Sequence, residues 1–137
     1  MNTYKQIEPT ERLQEADVAY ALMGRTVDSG VLMAFKDVTG VSGELLAGWL
    51  HVTPKTLRSY LSRKVLLSDT VGEQVLLLQA LFKRGCRMFG SHKAFETWLS
   101  RENGLLDGLK PVALLGSVSG IRLVESRLIG LEYGDNA

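Results

Sequence analysis

The run from Thr70 to Met88 constrains this chain more than any other stretch. Val71, Val75, Leu78 and Phe82 recur at helical spacing, and Leu76, Leu77 and Leu81 fill much of the remaining circumference. A helix apolar nearly all round is ruled out at a surface, because each methylene left in water forfeits about 0.8 kcal/mol of burial. It has to be wrapped by other helices of the chain or shared between subunits, which makes it a spine and a candidate dimer seam. Thr70 and Glu73 stand at capping-box spacing and set its expected start. Lys83, Arg84, Arg87 and Lys93 gather toward its far end, where cations meet the negative pole of a helix.

The rest of the chain is punctuated to supply such neighbours. Thr10 and Glu11 suit a helix start, followed by Leu13, Ala16, Tyr20 and Met23 on one side and a stop at Gly24. Ser29 opens a second helix with Leu32, Phe35 and Val38 inward and a stop near Gly40. With only three prolines and no β-branched alternation of useful length, the fold class is all-α. A composition of 45% hydrophobic and 23% charged residues is that of a globular protein. The single cysteine, Cys86, excludes an internal disulfide framework and suits a reducing compartment. No apolar run approaches the ~18 residues that span a bilayer and no N-terminal apolar leader stands out, so a soluble, cytoplasmic protein with no membrane partner is expected.

Between these helices lies the layout of a helix-turn-helix. Ser42 caps a helix carrying Leu46, Trp49 and Leu50; His51-Val52-Thr53 make the turn, and Thr53-Pro54 open the next helix as N-cap and first residue. Ala47 is small where the two helices cross, and Leu57 and Tyr60 face inward. Thr53, Lys55, Thr56, Arg58 and Ser59 crowd the outward face, with Arg63 and Lys64 just beyond it. No acid occurs between Glu44 and Asp69, and residues 41–93 carry eight basic against three acidic side chains. Such a face is expected to bind double-stranded operator DNA, and one recognition helix reads too few base pairs alone, so a homodimer is expected. His51 departs from the usual turn glycine, although histidine is among the side chains that tolerate positive φ. Should it spoil the turn, the chain becomes a protein-binding adaptor without DNA binding.

The last third opens on a stop at Phe89-Gly90. Ser91 caps a short helix with Phe95, Trp98 and Leu99 on one face; Asn103 to Gly108 make a loop, Pro111 starts a turn, and Ser119-Gly120 restart the chain. A final helix repeats Ile121, Val124, Leu128 and Leu131. The pattern reads as short helices packed around Trp98.

Phe89-Gly90, Ala94, Trp98-Leu99, Leu106, Gly108, Pro111, Leu114-Leu115, Gly120, Val124, Leu128 and Tyr133-Gly134 resemble, in order and spacing, the toxin-binding domain of Xre-type antitoxins. These ParS- or MbcA-like proteins are partners of RES-domain toxins. The likeness is detailed over the last third and looser back to about Val27. Lys110 departs from it, since the family often has Thr or Ser before the proline and lysine has no oxygen with which to cap. The resemblance implies a cognate RES-domain toxin that consumes NAD and is blocked sterically by the antitoxin's C-terminal end. The expected contacts are Trp98, Arg122, Glu125, Ser126, Arg127, Leu131, Glu132, Tyr133 and Gly134, the last four forming an end that adds little to the fold. Helix 68–90 then joins a helix-turn-helix part (27–67) to a toxin-binding part (91–137), with 1–26 as an N-terminal helical segment.

No catalytic constellation competes with this reading. The glycines form no phosphate loop, and Gly116-Ser117-Val118-Ser119-Gly120 puts valine where a nucleophile elbow needs serine. No paired carboxylates suit a general acid, and His51 and His92 lack ligand partners at metal spacing. Neither catalysis nor a cofactor is expected. The competing function is a dimeric helix-turn-helix repressor whose C-terminal half only dimerises or senses a ligand.

Overall fold

The computed structural model describes residues 27–134. The helix expected after Thr10 lies outside the described residues, as do residues 135–137. Those described are all-helical: α1 (Ser29–Thr39), α2 (Gly43–Leu50), α3 (Pro54–Ser62), α4 (Asp69–Phe89), α5 (His92–Leu99) and α6 (Val118–Glu132). Two 3₁₀ turns, Gly104–Leu106 and Pro111–Leu114, separate the last two helices. Extended pairing among these residues is limited to isolated bridges, Asp28 with Leu66 and Asn103 with Leu109.

Local chemistry accounts for most boundaries. The hydroxyls of Ser42, Thr53 and Ser91 each accept from the N–H three residues on, as expected of N-caps. Gly40 and Gly90 end α1 and α4 in the left-handed conformation. Three starts differ from expectation. The carboxylate of Asp28, not Ser29, caps α1 by accepting from Gly30 N at 2.7 Å. Ser29 is instead fully buried, its Oγ donating to Arg63 O and accepting from Val65 N, both at 3.0 Å, so it clamps the chain beyond α3. Ser68 rather than Thr70 caps α4, because Ser68 holds the extended backbone a cap requires and Thr70 is already helical. Ser117 caps α6, placing Ser119 and Gly120 inside the helix.

Val38 also differs, being 65% exposed. At 100° per residue, positions 32, 35 and 39 share a face, and a further step of three from Phe35 carries residue 38 off it. Thr39 turns inward instead and satisfies its hydroxyl on Phe35 O at 2.8 Å.

The apolar circumference of α4 is covered from within this chain, for it packs against α1, α2, α5 and α6. Phe82 is the hub. Its ring meets Phe35 of α1 and Phe95 of α5 edge-on, both at 5.1 Å, and Trp49 of α2 at 6.0 Å. One turn on, a Cβ at Gly85 would overlap the Phe95 ring. Glycine is unfavourable inside a helix by about 1 kcal/mol, yet only glycine lets α5 approach this closely. A cluster of buried side chains runs from Val27 to Leu128.

Candidate functional site

Two neighbouring surfaces carry the candidate residues. The first is α3 with the turn before it. α2 ends at His51, which adopts φ 58° and ψ 40°, the left-handed geometry its position demands. Val52 N then donates to Ala47 O, turning the chain so that α3 starts at Pro54. α3 packs on α1 and α2 through Leu57, its one fully buried side chain; Tyr60 and Leu61 are half-buried.

Lys55, Arg58, Arg63 and Lys64 are exposed, and none of the four makes an ion pair among the described residues. Thr56 and Ser59 are half-buried. Thr53 is committed to the fold: its Oγ1 accepts from Thr56 N and donates to Thr56 Oγ1, both at 3.0 Å. Arg63 and Lys64 follow the helix end in extended chain. The surface is therefore a cationic patch, two residues on one short helix and two on the chain just beyond it, with the hydroxyls at the helix N-terminus occupied by capping.

The second surface belongs to residues 84–134. Its centre is Phe95, fully buried, and not Trp98 as the sequence pattern suggests. Trp98 is half-buried at the rim, its ring stacked on Phe95 at 6.0 Å and tilted against Phe89 at 5.8 Å. A phenyl ring fits between α4 and α5 where Gly85 leaves room, and an indole one turn further lies at the edge of that gap. Phe89, Ala94, Thr97, Trp98 and Arg101 line a shallow groove there. Beyond α5, Asn103 folds the loop, its carboxamide oxygen accepting from Leu105 N and its backbone N–H donating to Leu109 O, both at 3.0 Å. Lys110 makes no capping bond, as its side chain dictates.

On α6, Ile121, Val124 and Leu128 are buried as the stripe predicts. Arg122 and Ser126 are exposed, Glu125, Arg127 and Leu131 half-buried, and Tyr133 is 76% exposed. The expectation that the end adds little to the fold does not hold for Glu132. Its carboxylate pairs with the buried guanidinium of Arg84 at 2.5 Å and reaches Arg87 at 3.6 Å. Arg84 is thus no helix-dipole cation but a buried charge whose counter-ion arrives from the last residue of α6.

The two surfaces are joined by hydrogen bonds onto one short segment. Trp49 Nε1 donates to Val112 O at 3.2 Å, and the buried Gln74 carboxamide donates to Leu115 O at 3.2 Å and to Trp49 O at 2.6 Å. His51 Nε2 lies 2.6 Å from Gly116 O. A carbonyl only accepts, so the His51 ring carries a proton on Nε2.

Periodicity passes over the exposed leucines of this part: Leu105 and Leu109 on the loop and Leu123 on α6. Leu123 lies off the buried stripe of Ile121, Val124 and Leu128, and that offset was the one signal in the sequence that could have found it. Between α1 and α4, Phe35, Val38, Phe82 and Cys86 help line an apolar groove of about 380 Å³. Among the described residues no group of His, Cys, Asp or Glu is placed to hold a metal ion, and no helix is long and apolar enough to cross a membrane.

The aromatic and arginine side chains at the rim of this small helical unit are of the types enriched at protein-docking surfaces. Residues 84–134 match the family model of the antitoxin Xre/MbcA/ParS C-terminal toxin-binding domain. The match coincides with the resemblance carried by Phe89-Gly90 through Tyr133-Gly134, and it supports a toxin-binding role for that segment in a toxin–antitoxin antitoxin. Its limits fall within two residues of the Arg84–Glu132 pair at either end. Residues 1–83 lie outside the match, and no curated protein matches the chain.

Proposed function

We propose that this chain neutralises a RES-type, NAD-consuming toxin through residues 84–134 and represses its own operon through α2, the His51–Thr53 turn and α3, used as a helix-turn-helix. The observation that carries the proposal is the joint presence, on one chain, of a segment matching a toxin-binding domain and of a short helix whose two exposed cations, with two more just beyond its end, have no acidic partner among the described residues. Lys55 and Arg58 stand where base edges and phosphates are met; Thr56 and Ser59 flank them, and Arg63 and Lys64 extend the phosphate track. Thr53 sets the helix start.

On the toxin side, Tyr133 and Gly134 project beyond α6, with Trp98, Arg122, Glu125, Ser126, Arg127 and Leu131 as further contacts. Inhibition is steric: the antitoxin's end fills the toxin's cleft and needs neither cofactor nor chemistry of its own. The protein works in the cytoplasm as a dimer, because a lone α3 reads too few base pairs.

Co-expression with the product of the adjacent gene tests the reading. Rescue of growth and co-purification are expected; a chain that neither rescues nor co-purifies overturns it. The groove between α1 and α4 favours one competitor, a repressor that senses an apolar ligand, since its volume suits a small molecule. That competitor requires operator binding to respond to a small molecule in the absence of any toxin.

A further inference from the structure

His51 is the one place where the α2–α3 turn departs from the glycine such turns favour. It is also the turn residue whose side chain leaves the turn, spanning 65 positions of sequence to reach Gly116 O. With Trp49 and Gln74 it completes a set of three side chains on the carbonyls of residues 112, 115 and 116. Two of the three come from α2 and its C-cap, the support on which α3 is aimed. The segment they grip runs from the Pro111–Leu114 turn to the start of α6, inside the residues that match the toxin-binding domain. It packs directly on the first turn of α6, where the backbone oxygen of Leu114 leaves no room for a side chain at Gly120.

We infer that His51 is a positioning residue: its Nε2–H bond to Gly116 O latches the turn before α3 to the toxin-binding domain, so that toxin binding is felt at the operator-reading helix. The inference rests on the two-function reading above. A toxin that holds segment 111–117 still also holds the turn, and α3 loses less freedom when it subsequently meets DNA. Linkage makes the effect reciprocal, so operator DNA tightens toxin binding by the same factor. One neutral hydrogen bond transmits no more than its own net stabilisation, which sets the coupling carried by the latch at about two- to tenfold.

The full-length chain, alone and bound to the toxin encoded beside it, is assayed against a duplex of its own promoter at fixed salt. Amide exchange of residues 51–58 is followed in parallel. His51→Gly removes the latch while suiting the left-handed turn better than histidine does. His51→Asn also tolerates that conformation but is too short to reach Gly116. Both variants are expected to keep toxin affinity within about twofold of wild type. Both should show a two- to tenfold smaller effect of toxin on operator affinity, and toxin should no longer slow exchange at 51–58. If both variants respond to toxin as wild type does, in affinity and in exchange, the inference is overturned. A wild-type chain that binds toxin but not its promoter removes the operator reading alone, and slowed exchange at 51–58, abolished in both variants, then still supports the latch. A wild-type chain that binds no toxin overturns both readings.

Discussion

Arg84 and Glu132 lie 48 positions apart, and their side chains meet at 2.5 Å with the guanidinium 1% exposed and the carboxylate about one-third exposed. The pair ties the spine helix α4 to the last residue of α6 and closes residues 84–134 on themselves. A buried guanidinium is tolerated only with its counter-ion present, so Glu132 belongs to the fold whatever else it touches.

Removing that carboxylate is therefore costly. Glu132→Gln is expected to destabilise the protein by about 1–3 kcal/mol in urea unfolding, below the 3–5 kcal/mol of fully buried pairs because water reaches Glu132. Replacing both partners, Arg84→Met with Glu132→Leu, is expected to cost less than Glu132→Gln alone. A double variant less stable than the single one would show that the pair stabilises by attraction rather than by avoiding an orphaned charge.

The same pair separates the part of the C-terminal end that holds the fold from the part proposed to inhibit. Truncation after Glu132 removes Tyr133 and Gly134 but keeps the ion pair. It is expected to leave the thermal midpoint within about 2 °C while releasing toxin activity in co-expressing cells. Truncation after Gly130 removes Glu132 as well and is expected to lower stability along with protection. If the chain ending at Glu132 still protects fully, the toxin docks on the Trp98 to Leu115 surface.

For DNA, Lys55→Ala with Arg58→Ala is expected to weaken binding to the chain's own promoter and to flatten its salt dependence. The slope of log affinity against log salt should fall by about one for each phosphate that is no longer neutralised. Toxin neutralisation should be unchanged, because both residues lie outside residues 84–134. Unchanged promoter affinity at moderate salt would move the DNA surface elsewhere.

Two glycines within helices give opposite expectations. Gly85→Ala drives a methyl into the Phe95 ring and is expected to cost about 1–3 kcal/mol or more, as overpacking does. Gly48→Ala meets nothing within 4 Å on an exposed face of α2 and is expected to stabilise by about 0.5–1 kcal/mol. Chemical denaturation of the two variants beside wild type measures both.

Sedimentation of the full-length chain at micromolar concentration is expected to show a dimer, with two protomers on one promoter duplex. A monomer bound singly would require a longer reading surface than α3 provides.

The all-helical class was legible in the amino-acid order, as were the stops at Gly40 and Gly90 and the caps at Ser42, Thr53 and Ser91. So were the left-handed turn at His51 and the buried stripe of α6. Each depends on partners within four residues, or on a period that repeats along the chain, and both are visible in one dimension. The resemblance that marks residues 89–134 is legible for the same reason, as residues in order and at spacing. Finer choices between adjacent candidates, Asp28 over Ser29 or Ser68 over Thr70, turn on which residue takes the extended backbone a cap needs. Packing in three dimensions settled the remainder: Phe95 rather than Trp98 fills the centre, Arg84 is buried against Glu132, and His51 reaches Gly116. Those outcomes depend on which surfaces meet across long stretches of chain. Lys83, Arg84 and Arg87 look alike along the sequence, and only the packing of α6 against α4 selects the one that must be buried and paired.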